Sequence, residues 1–395
     1  MIERMKPWLF ACLLALSVLP AAAAKKDSFT VSFYKAMAKQ ASNENLLVSP
    51  FSLHTALTMT YTGSVGKTRK EMGDTLGLTG QTDARLGQTY QKILGNLGSI
   101  GDTTQLDIAS GLFANSRYKL NKKFLDTGRL SFRAGVQSLD FASPQAASTI
   151  NKWALDKTHG KIDRVLDRTI SSDALCLVNA VYFKGAWLKE FPLKHSEKDD
   201  FNLPDGSIKK VMFMRLKDGE FRYQEQNSFQ AIKLPYRDGR TALYIFLPAK
   251  NTTLSKLESQ LTDGNLRLWM SAFDDQPGVL RLPRFRMENS HKLNNVLSSL
   301  GMPLAFTRGK ADFSLMAAAS NEIYISSVFQ KSFIDVNEKG TEAASATSVL
   351  MGGKGLYHRP PEPFYMVVDR PFLFILRDDR TGATLFMGHI VDPKS

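Results

Sequence analysis

Apolar and polar positions follow two regimes along this chain. In the first third they recur at helical spacing. Phe29, Phe33 and Met37 share one face of the segment 29–39. Ser49-Pro50-Phe51-Ser52 has the form of a helix start, with proline in the first turn, and residues 53–61 continue it. Residues 82–97 and 145–158 carry the same spacing. From Leu175 the pattern changes. Residues 175–184 form a mostly apolar run, which predicts a central strand covered on both faces. Shorter runs at 211–214, 231–234, 242–247 and 279–282 predict further strands. Residues 372–376 and 383–390 flank Asp378-Asp379-Arg380-Thr381-Gly382 and predict a hairpin with a glycine-bearing turn. Helices first and strands later, without βαβ alternation, point to an α+β fold.

Composition narrows the class. The chain has 395 residues, 43% hydrophobic and 23% charged, which is globular rather than disordered or low in complexity. No linker divides it. The net charge of +13 is spread without a polybasic run or recognition motif, so no nucleic-acid role is expected.

The N-terminus has the form of a targeting segment. Arg4 and Lys6 precede an apolar run from Trp8 to Leu19, and Ala21–Ala24 supply a small-residue cleavage site. Residues 1–24 therefore read as a secretory signal peptide, which predicts an extracellular protein, or a periplasmic one in a bacterium. The run is too short to span a bilayer, and no later stretch reaches about 18 apolar residues, so no membrane role is expected. Residues 25–395 would then form a single domain with Cys176 as its one cysteine. That domain can form no internal disulfide, and Cys176, in an apolar strand-like run, reads as a buried inert thiol.

Catalytic signatures are missing. The six histidines form no HExxH, and there is no CxxC or GxSxG. Gly66-Lys67-Thr68 resembles the end of a phosphate loop, but Tyr61 stands where the first glycine is required. No enzyme activity, cofactor or metal is expected.

The most distinctive segment reads Val336-Asn337-Glu338-Lys339-Gly340-Thr341-Glu342-Ala343-Ala344-Ser345-Ala346-Thr347-Ser348-Val349. From Thr341 to Ser348 its residues are nearly all small, Glu342 is the only charge, and proline is absent. If extended, it would place Thr341, Ala343, Ser345, Thr347 and Val349 on one small, uncharged face, with Glu342 on the other. Such a face can slide under a sheet, and every backbone donor is available for a ladder.

This segment resembles the reactive-loop hinge of the serpins, the serine protease inhibitor superfamily. Other segments resemble that family in the same order. They include Asn45-Leu46-Leu47-Val48-Ser49-Pro50-Phe51-Ser52, the run Leu177-Val178-Asn179-Ala180-Val181-Tyr182-Phe183-Lys184-Gly185-Ala186-Trp187, Leu282-Pro283-Arg284-Phe285 and Leu300-Gly301-Met302. Asp369-Arg370-Pro371-Phe372-Leu373-Phe374 and Leu385-Phe386-Met387-Gly388-His389 complete the series. The likeness covers essentially all of 25–395. It implies helices around a large central mixed sheet, with an exposed reactive loop at about 338–370.

The resemblance implies a mechanism. A serine protease attacks the loop and forms an acyl-enzyme, and the cut loop enters the central sheet as a new strand, trapping the protease. Gly340 would permit the bend and Thr341 would be the first inward side chain. The family's spacing, counted from Glu338, places the bait at Lys354, followed by Gly355, and a lysine suits a trypsin-like protease. A shifted frame would offer Leu350, Met351 or Leu356 to an elastase- or chymotrypsin-like enzyme, or make the chain an inhibitor of cysteine proteases. Arg359 precedes Pro360, which makes a poor cleavage site. Ser49, Ser52 and Asn179 would form a polar latch beneath the sheet, with Trp187 at its top. Gln330 stands where many members carry a histidine. The implied protein is a monomer whose partner is a protease held covalently. Non-inhibitory members, which act as carriers, chaperones or storage proteins, are the alternative, and the small uncharged hinge face disfavours them. Asn251-Thr252-Thr253 is a glycosylation sequon in a eukaryotic host. Lys119, Lys122 and Lys123 offer weak support for a polyanion.

Overall fold

The computed structural model describes residues 27–100, 103–317, 322–341 and 362–394. The expected signal peptide lies outside them. In chain order the elements are α1 (Phe29–Gln40), β1 (Leu46–Val48), α2 (Pro50–Tyr61), α3 (Gly66–Leu76), α4 (Asp83–Leu97), β2 (Thr104–Asn115), α5 (Lys122–Phe132), β3 (Gly135–Leu139) and α6 (Gln145–Lys157). There follow β4 (Leu175–Ala186), β5 (Glu197–Asn202), β6 (Ile208–Gln226), β7 (Phe229–Pro235), β8 (Thr241–Pro248), α7 (Leu254–Ser259), α8 (Asp263–Ser271), β9 (Asp274–Pro283), β10 (Phe285–Lys292) and α9 (Asn294–Ser299). The chain ends with β11 (Ile325–Asn337), β12 (Gly340–Thr341), β13 (Phe364–Val367), β14 (Phe372–Asp378) and β15 (Ala383–Ile390).

The fold is α+β, as the pattern predicts. The four helices read from spacing form as α1, α2, α4 and α6, and Pro50 occupies the first turn of α2. The expected order of helices first and strands later is corrected by β1, β2 and β3, which lie among the early helices. Gly66-Lys67-Thr68 opens α3. The C-terminal hairpin forms between β14 and β15, with Gly382 at φ 77° in its turn.

Two sheets carry the molecule. Among the described residues, the larger runs β1-β15-β14-β8-β7-β6-β9-β13, with β5 added beside β6. The other runs β10-β11-β12-β4-β2-β3. Strand β4 is buried along its length apart from Lys184, so it is covered on both faces. Val181 and Phe183 enter the core shared with the larger sheet, while Cys176, Val178 and Ala180 pack with Ala147, Ile150 and Ala154 of α6. Burial pushes the Cys176 thiol up to about 12, which leaves it unreactive.

Helix α2 passes beneath the smaller sheet and is buried on nearly every side. Its threonines remain compatible with burial because each hydroxyl bonds the preceding turn. Thr55 donates to the Phe51 carbonyl at 2.8 Å, Thr58 to His54 at 2.7 Å and Thr60 to Ala56 at 2.9 Å.

Candidate functional site

The smaller sheet contains one unusual junction. Strands β11 and β4 run parallel and pair from Ile325 opposite Leu175 up to Phe333 opposite Tyr182. Above that point they separate, and β12 lies between them. Thr341 pairs antiparallel with Val336 on one side and with Gly185 on the other. Paired strands lie about 4.8 Å apart, so the β11–β4 spacing roughly doubles within a few residues. The seam is closed below and wedged open above by Gly340 and Thr341, two residues of the expected hinge.

Gly340 makes the wedge fit. Its φ is 151°, and a Cβ there would lie 2.0 Å from the Gly185 carbonyl oxygen. Thr341 follows with no exposed surface.

The turn before the wedge is held from outside. Trp187 donates from its backbone to the Lys339 carbonyl at 3.1 Å and from Nε1 to the Asn337 carbonyl at 2.9 Å. Phe191 donates to the Glu338 carbonyl at 2.9 Å. The Glu338 carboxylate is nearly out of water, 8% exposed, and receives Arg284 Nε at 2.7 Å, Arg284 Nη2, and the Ser196 hydroxyl at 2.5 Å. A charge so buried requires these donors. Ser196 stands in no motif of the sequence, and Arg284 stands in the segment Leu282-Pro283-Arg284-Phe285, which assigns it no such role.

Halfway down the closed seam a polar cluster crosses it. Gln330 and Asn179 are directly opposite each other on β11 and β4. Gln330 Nε2 donates to Asn179 Oδ1 at 2.8 Å and to the Ser49 carbonyl at 2.9 Å, and its Oε1 accepts from the Ser49 backbone at 2.9 Å. Asn179 Nδ2 donates to Ser52 Oγ and, at 3.4 Å, to Ser110 Oγ on β2. Ser49 precedes α2, yet its hydroxyl caps no helix and instead donates to the Leu385 carbonyl at 2.5 Å. Ser49, Ser52, Ser110, Asn179 and Gln330 are all buried, so each bond replaces one to water. The structure thus brings together Ser49, Ser52, Asn179 and Gln330 in one cluster, and Glu338, Gly340, Thr341 and Trp187 in another at the sheet top.

The expected hinge residues Glu342, Ala343, Ala344, Ser345, Ala346 and Thr347, and the expected bait pair Lys354 and Gly355, lie outside the described residues. Asn251 is exposed in the turn before α7. Lys119 and Lys123 are exposed, and Lys122 pairs with Asp126 at 2.5 Å. Among the described residues no helix is long and apolar enough to cross a membrane, and no cluster of three metal-ligating side chains occurs.

Comparison with known proteins agrees with this architecture. Residues 24–393 match the family model for serpin (serine protease inhibitor). A serpin-like protein of Thermococcus kodakarensis is 34% identical, over 93% of this chain and 85% of its own. The leukocyte elastase inhibitor of Xenopus laevis is 34% identical, over 92% and 97%. The native crystal structure of the thermophilic serpin tengpin superposes with a TM-score of 0.83 at 28% identity, covering 92% of each chain. A sheet whose parallel seam is wedged by Gly340 and Thr341, joined to a family match along nearly the whole chain, places this protein in the serpin family. That family is one of protease inhibitors, and inhibitors are among the relatives of this chain.

Proposed function

We propose that this chain is a secreted, monomeric, single-use trap for a trypsin-like serine protease. The supporting observation is the seating of Gly340 and Thr341 antiparallel between two strands that are parallel to each other lower down. Parallel ladders are slightly less stable per residue than antiparallel ones. Extending β12 downward exchanges one parallel ladder for two antiparallel ones. The intact chain is kept from that state because the loop is tethered at both ends.

In this reading the protease serine attacks the Lys354 carbonyl. The Lys354–Gly355 bond breaks, the Gly355 amine leaves with a proton, and Lys354 remains esterified to the protease. The freed hinge side then enters the seam behind Thr341, carrying the ester with it. The small residues at 343, 345 and 347 would pass beneath the sheet without burying an unpaired charge.

The test is incubation with a trypsin-like protease. The expected products are an adduct that survives boiling in detergent and a released C-terminal fragment beginning at Gly355. Lys354→Ala should remove trapping of that protease and leave the folded state unchanged. Cleavage without any adduct would count against the trap, and unaltered trapping by Lys354→Ala against the assignment of the bait.

A further inference from the structure

Tyr236 belongs to no motif of the sequence and sits on the turn between β7 and β8, in the larger sheet. Its side chain has no exposed surface. The ring stacks on Trp187, with centroids 4.5 Å apart and planes 19° apart, and meets Phe183 edge-on at 4.9 Å. The turn is bonded to the end of β4 and the residues after it. Arg237 donates to the Ala186 carbonyl at 2.8 Å, and Leu188 donates to the Pro235 carbonyl at 2.9 Å. A side chain at Gly185 would collide with the ring, at 2.8 Å. The Tyr236 hydroxyl is therefore fixed relative to β4, not to the loop.

That hydroxyl lies 2.6 Å from Thr341 Oγ1, beneath the wedge. Burial pushes the phenol well above its ordinary pKa, so it stays neutral and can donate or accept. Side chains alternate along a strand, so a slip of one residue replaces the whole face presented to the core. Here a slip would bring Gly340, which has no hydroxyl, or Glu342, which carries a charge, to the Tyr236 oxygen. Either leaves a buried polar group unpaired or buries an ion.

We propose that Tyr236 is a positioning residue for strand insertion: its hydroxyl holds Thr341 as the first seated residue and so sets the register in which the loop enters. The proposal rests on the reading of the chain as a loop-inserting trap. A purely space-filling tyrosine would need the ring and not the oxygen, so Tyr236→Phe separates the two roles. Thr341→Val removes the partner oxygen at constant shape, and Thr341→Ser keeps it.

Two readouts test this. The first needs no protease: hydrogen exchange of the amides across 336–341 in the intact protein. Exchange should accelerate several-fold in Tyr236→Phe and Thr341→Val, with no further acceleration in the double variant, and should stay near wild type in Thr341→Ser. The second is the ratio of clipped to trapped inhibitor with a trypsin-like protease. It should rise several-fold in the same two variants while the rate of loop cleavage holds. Unchanged exchange in Tyr236→Phe, or a clipped-to-trapped ratio within twofold of wild type, overturns the positioning role and leaves the trap intact. A wild-type protein that forms no adduct overturns the trap, and the exchange experiment then still decides whether Tyr236 holds Thr341.

Discussion

Arg284 is only 28% exposed and its partner Glu338 8%, so neither ion can turn freely to water when the other is removed. Breaking a fully buried pair costs about 3–5 kcal/mol. Since Arg284 keeps some contact with solvent, Arg284→Ala should destabilise the native form by about 2–3 kcal/mol, read as a lower midpoint in urea unfolding. Gln330 presents a different case. It is neutral, yet three of its hydrogen bonds span β11, β4 and the start of α2. Gln330→Ala leaves the Ser49 N–H and Asn179 Oδ1 without that partner and should cost about 2–4 kcal/mol. A midpoint unchanged by either substitution would show that the polar groups find other partners. The donor and acceptor capacity of Gln330 was legible from its residue type. The ion pair was not, because Arg284 and Glu338 are 54 residues apart and nothing local marks them as partners.

At the scale of elements, the sequence declared what was periodic and apolar. Strand β4 could be read because its buried positions are nearly all hydrophobic. Strand β11 could not, since at its centre Gln330, Lys331 and Ser332 are buried too. Lys331 is compatible with burial because Nζ donates to the Arg164 carbonyl at 2.7 Å and pairs with Glu288 at 2.8 Å, contacts that only the tertiary structure supplies. Strand β2 was hidden for another reason. Ala109-Ser110-Gly111 carries little β signal, and Gly111 is needed because Trp153 of α6 packs where its side chain would be. His54 ties three helices together. From α2 its Nε2 bonds the Leu76 carbonyl of α3 at 2.8 Å, and its Nδ1 bonds the Tyr90 hydroxyl of α4. Burial holds its pKa below the ordinary histidine value, with the Leu76 bond offsetting part of that, and burial likewise lowers His291. A lowered folded-state pKa gives stability that is complete above the unfolded value of about 6.5 and is lost as pH falls through the folded value. The urea midpoint should therefore drop between pH 7.5 and pH 5, and the drop should be smaller in His54→Gln. An equal drop in that variant would remove His54 from the account.

At the level of the whole molecule, one seam sets the proposed behaviour. A central strand pair is parallel and closed over most of its length, and it already accepts the start of an antiparallel strand at its top. Gln330 and Asn179 bond across the seam at mid-height and the Trp187 segment holds the turn above it; in the proposed trap, the tether of the uncut loop is what prevents further entry. On that proposal, a cut in the loop removes the tether alone. The most direct measurement is thermal unfolding of the purified protein before and after a single cut within residues 350–356. The account predicts that the cut form melts well above the intact protein, because two antiparallel ladders would have replaced one parallel ladder. A cut form that melts at or below the temperature of the intact protein would contradict it.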